Sequence, residues 1–267
     1  LGSLDRLEPA VWLVGTWYQN GYDGIGWIAC AMAVAQGVWS FCSPVTAPKQ
    51  RHSSTYILLL ATALIRLLAQ LLDINVIGAL LLGVDVYAIA GLLHLPQRKN
   101  SVSPFWLAVV FCFSLPIEPI VQRLVGYDLQ QISAYLACGF LRPFFGELTC
   151  TGVRLQINSV DVLVDLPCSG AELVSISALI FAALNVLRRP GVAWGVMGSV
   201  FCLVLALTAN GIRIALLAAG IAHHEKLPFH VMDALPHTLI GLLMVCITCL
   251  GLLLFSRLYP ATAEPSS

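Results

Sequence analysis

The chain has 267 residues, of which 58% are hydrophobic and only 10% are charged. This composition excludes an ordinary soluble domain, because too few polar side chains remain to cover a water-exposed surface. Basic and acidic residues balance at 14 each, so net charge gives no reason to expect a nucleic-acid partner. We therefore predict an all-α polytopic membrane protein in which residues 1–267 form a single integral membrane domain in the lipid bilayer.

Apolar runs near the length that spans a bilayer, roughly 20 residues, recur along the chain. Residues 1–24 form an N-terminal interfacial segment in this prediction, because aromatic residues such as Trp12 and Trp17 favour the membrane interface. Counting that segment as a possible crossing, we expect about seven or eight transmembrane helices. The seven clear runs are 25–42, 55–72, 74–95, 104–121, 169–187, 192–221 and 237–257.

The charges of the connecting loops predict the orientation, because short cytoplasmic loops hold an excess of lysine and arginine. Alternate connections contain basic residues and no acid, namely Lys49, Arg51, Arg98, Lys99, Arg188 and Arg189. The remaining connections hold acids and are predicted to face outward. Their acids are Glu118, Asp128, Glu147, Asp161, Asp165, Glu225 and Asp233.

Residues 122–167 are predicted to form an extracytoplasmic insertion. Its first part has apolar residues at helical spacing, which indicates an interfacial amphipathic helix over 129–140. Its second part alternates apolar and polar residues from Val153 to Val164, which indicates a small β-hairpin. Cys138 and Cys150 both lie in this segment, where an oxidising periplasm would allow them to pair.

The insertion leads to Cys168 at the start of the fifth helix. Ser169, followed three residues later by Glu172, predicts a capping box. Cys168 would then precede a helix N-terminus, whose partial positive charge favours the thiolate, the nucleophilic form of cysteine. The alternative is that this thiol is merely a small buried side chain.

Arg213 interrupts an apolar helix, and a guanidinium at membrane depth normally faces a protein interior or a wet cavity. Asn210 lies three residues earlier on the same helical face, where it could orient Arg213 or bind substrate. The alternative is an arginine that snorkels to the interface near a helix end. Arg66 lies in a similar apolar run and has no assigned role.

His237 begins the last helix on the outer side, where an imidazole can carry protons near neutral pH. A metal site is the alternative for the nearby residues His223, His224, His230 and Asp233. Zinc ligands usually show tight paired spacing and a fourth donor, so no metal and no other cofactor is predicted. Cys246 and Cys249 lie within an apolar run and are assigned no redox role.

The predicted topology places Cys168, Arg213 and His237 at the same membrane face. A thiol nucleophile, a proton carrier and a cation for a developing oxyanion are the groups that acyl transfer through a thioester requires.

At these residues the chain resembles the exosortase/archaeosortase family of membrane-embedded cysteine transpeptidases. The similarity extends over about residues 55–257, and Pro167 departs from the small residue that many members have before the cysteine. The resemblance implies that Cys168 is the nucleophile, that His237 carries protons and that Arg213 stabilises the thiolate or the oxyanion. The matching motifs are Pro167-Cys168-Ser169-Gly170, Asn210-Gly211-Ile212-Arg213, and His237 with Gly241; within them Ser169, Gly170 and Asn210 are expected to support the site or bind substrate.

The resemblance also implies the partners and the location. The substrates would be exported proteins with a C-terminal sorting signal, made of a Pro-Glu-Pro-like motif, a transmembrane helix and a basic tail. Cleavage would occur at the periplasmic face of the bacterial inner membrane, and the acyl group would pass to an acceptor nucleophile. Two alternatives remain open: a transporter or channel with Arg66, Arg213 and Glu118 along its path, and a structural partner of an envelope polysaccharide system.

Overall fold

The computed structural model describes residue 15 and residues 25–46, 53–71, 75–115, 117–158, 160–164, 169–223 and 235–258. The predicted interfacial segment at 1–24 therefore lies outside the described residues, except for Gly15. In chain order the described elements are α1 (Ile25–Phe41), α2 (Ser53–Leu71), α3 (Asn75–Leu92), α4 (Pro104–Cys112), α5 (Ile117–Leu141), β1 (Leu148–Thr151), β2 (Arg154–Ile157), β3 (Val160–Leu163), α6 (Ala171–Arg188), α7 (Val192–His223) and α8 (Leu235–Arg257).

Long apolar helices dominate the architecture, which confirms the predicted helical membrane protein. Large apolar side chains on their outer faces, such as Leu242 at 60% exposure, are expected where a helix contacts lipid rather than water. The count of seven or eight crossings remains a prediction. Within the described residues, four stretches are long and apolar enough to cross a membrane: Leu80–Gln97, Ala171–Arg188, Val192–Ala222 and Thr238–Arg257.

The predicted continuous helix at 104–121 is wrong. Helix α4 ends at Cys112, and the amides of Ser114 and Leu115 bond to carbonyls three residues back, which closes the helix with tight turns. Pro116 follows in the sequence, and proline lacks the amide hydrogen that a helix interior needs. The following helix, α5, includes the segment predicted as a separate interfacial helix; whether it lies at the membrane surface remains a prediction.

The predicted β-hairpin is confirmed, with β2 and β3 antiparallel and Leu155 opposite Val162. The structure adds a strand that the sequence analysis missed, because β1 pairs with the other edge of β2 to give the order β1-β2-β3. Each strand is only four residues long, so β1 offers too short an alternation to recognise from the sequence.

The small sheet packs against α5 and α7. Its buried side chains Leu155 and Ile157 lie in a core with small residues of those two helices, among them Ala134, Ala137, Ala215 and Ala218. Cys138 of α5 and Cys150 of β1 form a disulfide, a pairing that the sequence allowed but did not predict, and it links the sheet to the helix.

The chain divides into two compact units. The first comprises Leu1–Ile117, Ala182–Val192 and Tyr259–Ser267; the second comprises Glu118–Phe181 and Ala193–Leu258. In the first unit, two of the predicted cytoplasmic loops lie together, since Arg189 donates to Ser101 Oγ at 2.6 Å. The second unit contains the sheet and the described parts of the candidate site. The prediction of a single integral membrane domain remains a prediction.

Candidate active site

The backbone that follows Cys168 enters α6 in close contact with Asn210. The amide of Val174 donates to the carbonyl of Gly170 at 2.9 Å, so the N-cap is Gly170. The predicted capping box, in which Ser169 is the N-cap and Glu172 the third helical residue, is therefore wrong, because the N-cap is the next residue. Gly170 has a φ of 90°, a conformation that residues with a Cβ rarely adopt. A Cβ at this position would lie 2.7 Å from Asn210 Nδ2.

A chain of two buried hydrogen bonds connects α7, α5 and the start of α6. Asn210 Nδ2 donates to Ser133 Oγ at 2.9 Å. Ser133 Oγ in turn donates to the backbone carbonyl of Ser169 at 3.1 Å. Asn210 and Ser133 are fully buried, and Ser169 is 1% exposed. Buried hydrogen bonds are costly to break, so the residue after the candidate nucleophile has a defined place relative to α7.

Arg213 lies one helical turn beyond Asn210, next to α8. A Cβ built on Gly241 would lie 3.8 Å from the carbon of the Arg213 guanidinium. Gly241 is four residues after His237 in the same helix, so the two positions share one face of α8. Leu173, Ala209 and Met244 form a core cluster that packs α6, α7 and α8 together near these positions.

The predicted site residues are thus only partly described. Gly170 lies against Asn210, Ser169 is connected to Asn210 through Ser133, and Arg213 lies next to the helix that begins near His237. Cys168 and the side chain of His237 lie outside the described residues, and their catalytic roles remain predictions. The metal alternative also concerns residues outside this part, namely the side chain of His223 and residues His224, His230 and Asp233. Elsewhere, where the structure is described, no group of three or more potential metal ligands occurs.

Two site-associated residues, Gln130 and Ser133, were missed by the sequence analysis. Both lie on α5, and Gln130 Nε2 donates to the backbone carbonyl of Val164. A signal was available, since they are polar, lie three residues apart and occupy one face of a helix predicted to be amphipathic. That face was interpreted as interfacial, whereas both side chains are buried.

Arg66, which had no assigned role, forms an ion pair with Asp85 in the first unit. Thr62 Oγ1 also donates to the Asp85 carboxylate, at 2.6 Å. A charged side chain at membrane depth needs such a partner, and the pair between α2 and α3 accounts for Arg66 without a transport path.

The long apolar helices indicate a multi-pass membrane protein. The model of the transmembrane exosortase family (Exosortase_EpsH) matches residues 17–254. The chain therefore belongs to the transmembrane exosortase family, as the sequence motifs predicted. Comparisons with curated proteins and with solved structures give no significant match.

Proposed function

We propose that this protein is a membrane cysteine endopeptidase and transpeptidase that cleaves the C-terminal sorting signals of exported proteins. Family membership supports the type of activity. The contact of Gly170 with Asn210 carries the assignment of the site, because it joins the motif that contains Cys168 to the motif that contains Arg213. The position of Gly241 beside Arg213 adds the helix of His237.

The first half-reaction forms a thioester. The Cys168 thiolate attacks the carbonyl carbon of the scissile peptide bond, and the carbonyl oxygen becomes an oxyanion that the Arg213 guanidinium stabilises. The tetrahedral intermediate then collapses with cleavage of the carbon–nitrogen bond. His237, in its protonated form, donates a proton to the departing amine. The N-terminal part of the substrate remains on the cysteine sulfur.

The second half-reaction releases that acyl group. An acceptor nucleophile, either an amine or water, attacks the thioester carbonyl while neutral His237 takes its proton. The carbon–sulfur bond breaks, the thiolate of Cys168 is regenerated and the imidazole is again protonated. Ser169, Gly170 and Asn210 support this chemistry by fixing the backbone next to the sulfur.

We place this chemistry at the extracytoplasmic face of the bacterial inner membrane. Helix α6 has 18 residues, so it is about 27 Å long, close to the thickness of the hydrocarbon core. The candidate site lies at its N-terminus, whereas Arg188 and Arg189 lie at its other end, where the excess of basic residues predicts the cytoplasm. The disulfide between Cys138 and Cys150 agrees with an oxidising compartment on the side of the site.

The proposed partners are exported proteins with a Pro-Glu-Pro-like motif, a transmembrane helix and a basic tail. The test uses cells that make an epitope-tagged protein with such a signal and, in turn, the wild-type enzyme, Cys168→Ala, or Cys246→Ala. Cys246 is an exposed cysteine of α8 and serves as the matched control. We expect Cys168→Ala to abolish processing and Cys246→Ala to retain it. Normal processing by Cys168→Ala at wild-type enzyme level would refute the proposal.

Mass spectrometry of the processed substrate identifies how the cycle ends. An added mass at the new C-terminus identifies the acceptor and supports transfer, whereas a free carboxylate means hydrolysis. Replacing Arg213 with alanine is expected to lower the processing rate by about 10²- to 10³-fold, the usual effect of losing an oxyanion-stabilising group.

A further inference from the structure

Helix α5 bonds to the backbone on both sides of the segment that contains Cys168. Before the segment, Gln130 Nε2 donates to the carbonyl of Val164. After it, Ser133 Oγ donates to the carbonyl of Ser169 at 3.1 Å. Gln130 and Ser133 are three residues apart and therefore share one face of the helix. Only residues 165–168 lie between the two carbonyls that they bind.

Both attachment points are buried and held by further contacts. Gln130 is 7% exposed and Ser133 is fully buried, while Val164 is 3% exposed and Ser169 is 1% exposed. The amide of Val164 donates to the carbonyl of Val153 at 3.0 Å, which ties this point to the sheet. The sheet is in turn linked to α5 by the disulfide of Cys138 and Cys150. Buried hydrogen bonds of this kind are costly to break, because each leaves a polar atom without water.

We propose that Gln130 and Ser133 are positioning residues that hold the backbone on both sides of Cys168 and so fix where its thiol can lie. We call these two side chains the α5 clamp. The inference rests on the proposed function, in which that thiol is the nucleophile. Residues 165–168 are covalently joined to Val164 and Ser169, so the clamp fixes the two points at which this segment begins and ends.

The chemistry explains why such positioning matters. A misplacement of about 1 Å between reacting groups can lower a rate by about 10²-fold. Both clamp bonds are made to backbone carbonyls, so they hold the backbone directly and do not depend on the side chains of Val164 and Ser169. Ser133 also accepts a hydrogen bond from Asn210, and this bond connects the clamp to α7 one turn before Arg213.

The experiment compares substitutions that remove a hydrogen bond with matched substitutions that retain it. Ser133→Val and Ser133→Thr have the same shape, with a methyl group in valine where threonine has the hydroxyl, so their comparison isolates the two hydrogen bonds of that hydroxyl, to Ser169 and from Asn210. Gln130→Met removes the donor to Val164 at similar length. Gln131→Met is the matched control, because Gln131 is the adjacent residue and bonds on the exposed side of α5, to Tyr127 Oη at 3.0 Å.

Two quantities are measured on each full-length variant in membranes, at equal enzyme level. The first is kcat and KM for processing of the tagged substrate. The second is the rate at which Cys168 reacts with iodoacetamide across a pH series, followed by mass spectrometry of the peptide that contains it. The alkylation rate reports on the thiol itself and does not depend on turnover, so it separates the clamp from the proposed reaction.

We expect Ser133→Val and Gln130→Met each to lower kcat by about 10- to 100-fold with KM changed by less than about threefold, as positional errors at a nucleophile do. Both should alter the pH profile of Cys168 alkylation. Ser133→Thr and Gln131→Met should stay within about threefold of wild type in kcat. Wild-type kcat and alkylation in Gln130→Met, or equal losses in Ser133→Thr and Ser133→Val, would overturn the clamp. If Cys168→Ala processes substrate normally while the clamp variants change alkylation, the proposed function fails and the clamp stands.

Discussion

Replacing Gly170 with alanine tests the geometry that joins the cysteine and arginine motifs. The φ of 90° at this position strains any residue with a Cβ, at a cost of about 1–3 kcal/mol. The new Cβ would also lie 2.7 Å from Asn210 Nδ2, whereas ordinary contacts begin at 3.4 Å. The two groups must therefore separate by about 0.7 Å, and displacement on this scale lowers kcat by about 10- to 100-fold.

The assay is the processing rate of the tagged substrate in membranes, at matched enzyme level, together with the midpoint of thermal unfolding in detergent. Gly139→Ala in α5 and Gly220→Ala in α7 are the controls, because a Cβ at either position meets nothing within 4 Å. We expect both controls to process substrate at the wild-type rate with an unchanged or slightly raised midpoint, since alanine favours helix more than glycine does. If Gly170→Ala processes substrate as fast as these controls, the close approach to Asn210 does not matter for the reaction.

Three further substitutions test other contacts. The double variant Cys138→Ser/Cys150→Ser should lose about 3 kcal/mol of unfolding free energy, because the disulfide closes a sequence separation of 12 residues, and an unchanged thermal midpoint would contradict this. Arg66→Ala should lower the free energy of unfolding by about 3 kcal/mol, because it leaves the Asp85 carboxylate without its partner, and this should reduce thermal stability and the level of protein in the membrane. The double variant Arg66→Leu/Asp85→Leu should lose less stability, and equal losses would argue against the ion pair. Gly241→Ala should keep full activity, because its Cβ would be in ordinary contact with the guanidinium at 3.8 Å, whereas Gly241→Leu should lower kcat by displacing that group; equal processing rates would refute this.

The features that sequence predicted well are those with a strong period. Helices α7 and α8 follow from long apolar runs and were located to within a few residues of their observed ends. The hairpin of β2 and β3 was predictable because Leu155 and Ile157 alternate with polar residues, so one face of the strand is buried. The disulfide was only an allowed pairing, because the shared outer segment of its two cysteines does not show that their sulfur atoms meet.

The features that sequence missed depend on tertiary contacts or on single positions. The helix breaks after Cys112 because tight turns precede Pro116. The stretch 104–121 is mostly apolar, so its hydrophobicity does not reveal this break. Position 170 needs glycine because Asn210 occupies the space of a Cβ, and nothing near Gly170 in the sequence reveals that neighbour. Arg66 and Asp85 lie 19 residues apart in different helices, so their pairing required the packing of α2 against α3.

The spacing of Asn210 and Arg213 explains how a neutral and a charged side chain divide the work at the proposed site. The amide of Asn210 can donate a hydrogen bond to Ser133 without placing a charge in a fully buried position, where an unpaired charge would be costly. Three residues further on, the guanidinium of Arg213 lies on the same side of α7 and supplies the charge. Since both belong to one rigid helix, the contact that fixes Asn210 against Gly170 also fixes the helix backbone that bears Arg213. The distance between the backbone at Gly170 and the helix backbone that bears Arg213 is therefore set by the packing of Gly170 against Asn210.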